Sequence, residues 1–197
     1  MPSSPAVVVA TPGAEPRAEG GYAAAVLLDG WMLLGRASLR AAEEALRRWM
    51  NAAALVRPGP DGGAVVVVAD SGLLAVQALI RWDPVTHAER ELAERTALRF
   101  PPAVRMASLT GPASAVREVL AAAARPASAD VLGPVPAGDD YALAGDATSE
   151  EQVRVLIRVP RSDGLALAAA LHAAQAVRSA RKDAGVVRLQ LDPAELI

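Results

Sequence analysis

Two kinds of apolar run divide this sequence, and they limit its possible folds more than any other feature. In the first kind the apolar residues are consecutive: Ala6-Val7-Val8-Val9-Ala10, Ala23 to Asp29 and Val65 to Ala69. Runs of this sort have no polar face, and strands built from them belong in parallel sheets covered on both sides. In the second kind, Val153 to Val159, β-branched residues fall at every second position. Val153, Val155, Ile157 and Val159 then share one face of a strand, with Arg154 and Arg158 on the other.

Helical patterns separate the consecutive runs. Ser38 is a plausible N-cap for a helix running to about Ala54, whose Leu39, Ala42, Leu46, Trp49 and Ala53 recur at three and four residues. Ser71 caps a second helix through about Arg81, after the loop Pro58-Gly59-Pro60-Asp61-Gly62-Gly63. Strand, helix, strand, helix predicts a parallel sheet with helical crossovers. A charged helix, Thr86 to Arg99, follows Asp83-Pro84 and stops at Phe100-Pro101-Pro102. Beyond it the signals read β-α-β-β-α-β: Val104 to Leu109, a turn at Thr110-Gly111-Pro112, helix 113–124, Asp130 to Val135 with a break at Gly133-Pro134, Val153 to Val159, helix 164–182 and Val186 to Asp192. That order suits a split sandwich with two helices on one face of an antiparallel sheet. The expected domains are 1–84, a linking helix 85–102, and 103–197.

Composition narrows the chemistry. Aromatic residues make up only 3%, so the core must come from Ala, Val and Leu. The absence of cysteine removes disulfides, thiolate zinc sites and cysteine nucleophiles. A net charge of -2 argues against a whole domain that grips duplex DNA by itself, so any nucleic-acid contact must be local or shared. No apolar run reaches the roughly 18 residues of a membrane span, and no signal-peptide pattern is present; cytoplasm is the expected compartment.

Few residues are placed for catalysis. Thr11-Pro12-Gly13 follows a strand signal but matches no phosphate-loop spacing, and Gly20-Gly21 is not a dinucleotide fingerprint. Asp29 ends an apolar run without a second carboxylate or a lysine beside it. His87 and His172 have no ligand-spaced partners, and no serine stands in a triad pattern. Asp139, Asp140 and Asp146 lack calcium-loop spacing and read as a solvated loop. The sequence therefore predicts no catalytic and no metal-binding residue.

Several short segments, taken in order, resemble one family. Arg90-Glu91-Leu92 to Arg95 with Phe100-Pro101-Pro102-Ala103-Val104-Arg105, then Val131-Leu132-Gly133-Pro134, then Leu189-Gln190-Leu191-Asp192-Pro193, resemble the C-terminal part of the PriA family of primosomal replication-restart proteins. Upstream, Val7 to Pro12, Leu28-Asp29-Gly30 and Leu39 to Glu43 resemble the end of that family's second helicase lobe. Met50 to Arg57 falls on the family's Q-V-A-G-R-A-G-R. Ala54 stands at the first arginine, Ala53 and Val56 at the glycines, and only Arg57 is kept, as a remnant of nucleotide binding.

The resemblance implies a RecA-like lobe end followed by the split sandwich, hence an α/β plus α+β chain. It also implies a piece of a longer protein. The family uses ATP and zinc through segments with no counterpart in these residues, so no cofactor is expected here. An arginine in that motif steadies phosphate charge during ATP cleavage, and alanine cannot. The expected role is non-catalytic: binding branched or forked DNA together with single-strand-binding protein and other primosome proteins, with no membrane partner. Arg105, Arg154 and Arg158 are the DNA-contact candidates, the last two sharing one strand face. Two alternatives stand beside it: part of an active 3'-5' helicase working through Arg57, and an unrelated protein-interaction scaffold.

Overall fold

The computed structural model describes residues 5–137 and 150–193. Contacts divide the chain into two compact units, one reaching to Glu91 and the other running from Leu92 to Pro193. Asp139, Asp140 and Asp146 of the acidic segment lie outside the described residues.

The first unit is built on two parallel strands, β1 (Ala24–Leu27) and β2 (Ala64–Val67), paired from Ala24↔Ala64 to Leu27↔Val67. Three helices accompany them: α1 (Gly30–Leu34), α2 (Ala41–Ala53) and α3 (Leu74–Arg81). Helix α2 buries Ala45, Leu46, Trp49 and Ala52; of the expected stripe Leu39, Ala42, Leu46, Trp49 and Ala53, only Leu46 and Trp49 are fully buried, and Leu39 lies before the helix. These side chains meet Leu33, Ala75, Val76, Ala78 and Leu79, with Leu27, Val67 and Ala69 of the sheet packed against them. Trp49 is the one aromatic residue of this core, and burying a side chain of that size stabilises the unit by about 2–3 kcal/mol.

Four expectations need correction here. Ala6–Ala10 is not a strand: Val7 and Val9 are 93% and 94% exposed and pair with no sheet. A β-branched run is only a propensity, and it needs a neighbouring strand to become one. The consecutive apolar strands are not covered on both faces. Val26, Leu28, Val66 and Val68 are exposed, because the helices of this unit pack on the opposite side of the sheet. Ser38 and Ser71 do not cap their helices, which begin after Arg40 and Leu73. The Ser38 hydroxyl accepts from the Arg40 amide, and Asp70 accepts from Gly72, so these side chains organise the preceding turns instead.

Helix α4 (Pro84–Leu98) leads into the second unit. Its strands β3 (Val104–Pro112), β4 (Asp130–Pro136), β5 (Gln152–Pro160) and β6 (Arg188–Leu191) form one antiparallel sheet in the order β4-β5-β3-β6. Helices α5 (Ala113–Ala122) and α6 (Gly164–Arg181) bury Val116, Val119, Leu167 and Leu171 against Ala107, Leu109, Val155 and Ile157. The alternation along β5 falls as its sequence pattern requires, with all four of its odd-numbered apolar residues in this core.

Thr110-Gly111-Pro112 is not a turn, a fifth correction. All three residues extend β3 and pair with Arg154, Val153 and Gln152. Cross-strand pairing along nine residues outweighs the local turn preference of Gly-Pro. Gly111 is needed for a different reason: a Cβ there would stand 2.5 Å from the carbonyl oxygen of Val186, in the approach to β6. The expected break in β4 is real. Gly133 has φ 100°, and the β4–β5 register shifts between Leu132 and Val135.

Candidate functional site

One of the segments that resemble helicase motifs, Met50 to Arg57, lines a cleft of about 570 Å3. Gly13, Glu15 and Arg17 form one wall, and Asn51, Ala54 and Leu55 at the end of α2 form the other. Backbone bonds hold the walls together. The Tyr22 amide donates to Leu55 O (2.9 Å) and the Arg57 amide to Tyr22 O (3.0 Å). The Tyr22 hydroxyl donates to Pro16 O (2.5 Å), and Arg48 Nη1 reaches Pro12 O (3.3 Å).

The chemistry of this cleft is weakly charged. Thr11 to Ala14 form a turn closed by the Ala14 amide on Thr11 O (2.9 Å). The Gly13 amide donates to both carboxylate oxygens of Glu15, each at 3.0 Å. Ala54 lines the wall and brings no charge. Arg57 is exposed and is not among the lining residues; its backbone, rather than its guanidinium, serves the site. The residues present do not fit a nucleotide polyphosphate, because the one available turn amide is taken by a carboxylate and the motif position carries a methyl group. Among the described residues no group of three or more His, Asp or Glu side chains could hold a metal ion.

The three arginines singled out as DNA contacts are not one patch. Arg105 and Arg158 stand at the same end of the sheet, where β3 begins and β5 ends, but on opposite faces. Arg105 passes over Gly164 at the start of α6, and its Nη1 lies 2.5 Å from Asp192. Arg158 pairs with Asp130 across the β4–β5 ladder at 2.7 Å. Arg154 is buried, only 4% exposed, opposite Thr110.

Other residues at that end escaped the sequence reading. Arg99 reaches the same Asp130 oxygen at 3.5 Å, so one carboxylate serves two guanidiniums. Arg161 Nη1 donates to Pro102 O at 3.2 Å. Asp163 accepts from the Ser128 and Ser162 hydroxyls. No local signal marks this cluster, since Asp130 and Arg158 are brought together only by strand register. Elsewhere, Glu44 of α2 accepts from both Arg47 and Arg48 at 2.7 Å, which holds its carboxyl down to about 2. Hydrogen bonds from the Ser114 hydroxyl and amide likewise lower the Glu150 carboxyl.

Comparison with known proteins places these features in a family. Residues 96–194 match the family model described as the primosomal protein N C-terminal domain. A probable replication restart protein PriA of Mycobacterium leprae is 54% identical over 190 residues, covering 96% of this chain and 29% of the relative. Proteins of the same description from Mycobacterium tuberculosis and Mycobacterium bovis are 54% identical over 202 residues, covering 98% of this chain and 31% of each relative. The chain thus spans about three tenths of the length of the relatives it matches. No helix among the described residues is long and apolar enough to cross a membrane. On the family match and the identity across nearly its whole length, the chain belongs to the PriA family of replication restart proteins and corresponds to their C-terminal part.

Proposed function

We propose that this chain serves replication restart as a DNA- and partner-contacting element that does not turn over ATP. The observation that carries the reading is the sharing of Asp130 by Arg99 and Arg158. With Arg105 and Arg161, four arginines gather at one end of the antiparallel sheet against the three carboxylates of Asp130, Asp163 and Asp192. The excess of positive charge is local, as the chain's net charge of -2 demands. Guanidiniums of this kind reach phosphate oxygens and orient a duplex without reading its sequence. The uncharged Ala54 and the occupied Gly13 amide support the absence of ATP cleavage. The strand order β4-β5-β3-β6, with both helices packed on one core, supports the split sandwich reading of this unit. The parallel β1–β2 pair supports a RecA-like lobe end in the first unit.

The test is fluorescence anisotropy of the chain with forked DNA at two salt concentrations, alongside an ATPase assay. Binding should weaken as salt rises, with log K falling by about 0.9 per phosphate contact for each tenfold increase. The Arg99→Ala, Arg161→Ala double variant should weaken it severalfold. Absence of binding at low salt, or equal binding by the double variant, would sink the proposal; so would DNA-stimulated ATP hydrolysis.

A further inference from the structure

The cleft beside α2 combines three hydrogen-bond donors with a single acid. Gly13 has φ 95°, a backbone geometry that favours glycine, and nothing lies within 4 Å of where its Cβ would stand. Its amide borders the cleft and is held by the Glu15 carboxylate. Arg17 and Asn51 line the same space, and the Arg17 guanidinium forms no ion pair with any described residue. An amide N–H, a guanidinium and a carboxamide around one hollow make an anion-binding arrangement. Glu15 changes its character. The Glu15 carboxylate accepts the Gly13 amide through both oxygens.

We propose that Glu15 is a built-in anion that closes this cleft to phosphate-bearing ligands. The cleft is a phosphate site masked by its own side chain, and a ligand enters only by displacing Glu15. The mask and the uncharged Ala54 act in the same direction, one occupying a donor and the other removing one. The inference concerns the first unit alone and does not depend on the DNA-contacting arginines of the second.

Titration of 15N-labelled chain with inorganic pyrophosphate tests it, followed through the Gly13 amide resonance. In the wild type that resonance should stay in place at millimolar pyrophosphate. In Glu15→Gln it should shift saturably, with affinity about tenfold or more above the wild type, the scale of one interfering charge. Arg17→Ala in the Glu15→Gln background should return the response to the wild-type level. Equal affinity in wild type and Glu15→Gln overturns the proposal, as does a saturable shift that survives Arg17→Ala. A Glu15→Gln spectrum of wild-type dispersion with no shift overturns it too. Glu15→Ser, expected to behave like Glu15→Gln, covers the case in which the glutamine variant loses its fold.

Discussion

Glu44 faces two guanidiniums from the next turn of its own helix, and its titration carries a stability signature. Its ordinary value of 4.5 is lowered to about 2, first by the Arg47 hydrogen bonds and then by that from Arg48. The folded state therefore binds the proton less readily than the unfolded chain, which makes the unfolded state the better acceptor on acidification. The stabilising contribution is present above about pH 4.5 and is lost as pH falls toward 2. The side chain is 35% exposed, so solvent screening keeps the contribution small. Urea melts of wild type and Glu44→Gln should differ above pH 5 and converge toward pH 2. A constant gap across that range would show that the ion pairs contribute nothing.

At the scale of the element, the entry to β6 depends on an absent side chain. Gly111 in β3 lets the Val186 carbonyl approach to where a Cβ would be 2.5 Å away. Arg178, buried in the last turns of α6, pairs with Glu118 and donates to Ala184 O (2.6 Å) and Gly185 O (3.1 Å). One side of this approach is thus tied by a guanidinium, and the other is pressed onto a glycine. Gly111→Ala should cost about 1–3 kcal/mol in a urea melt, with the first loss of amide protection in β6. A smaller cost with β6 protection intact would mean that the approach can shift freely.

The same elements explain what could be read in advance. The two-residue period of β5, and Leu46 and Trp49 of the α2 stripe, were legible because each reports contact with a single core. Thr110-Gly111-Pro112 was not, since pairing with β5 comes from residues about forty positions away and overrides a local turn signal. The candidate sites follow the same division. Ala54 and Arg57 could be located from a motif, whereas Asp130 between Arg99 and Arg158 exists only once β4 lies on β5. Glu15 sits two residues from Gly13, yet its importance needs α2 to supply the facing wall.

The described residues form two cores that share no residue, one centred on Trp49 and Leu79 and the other on Ile157 and Leu171. A change in one should be felt first within its own unit. Ile157 is fully buried, and Ile157→Ala should remove about 2–5 kcal/mol from the second unit. Hydrogen exchange should then quicken in β3, β5 and α6 while α2 and α3 keep their protection. Uniform quickening in both units would mean that the chain opens as one cooperative body.

The open side of the β1–β2 sheet bears on how this protein behaves in the laboratory. Ala24, Val26, Leu28, Ala64, Val66 and Val68 alternate onto one uncharged surface, away from the helices. Dyes that brighten in apolar surroundings, such as anilinonaphthalene sulfonate, adsorb to such surfaces whether or not the chain around them is ordered. Their fluorescence is commonly taken as the mark of a loosened, molten state. For this chain the native form should already light the dye, so brightness alone is no measure of misfolding. The informative quantity is the change on Val66→Thr, which dims this surface and leaves the Trp49 core untouched.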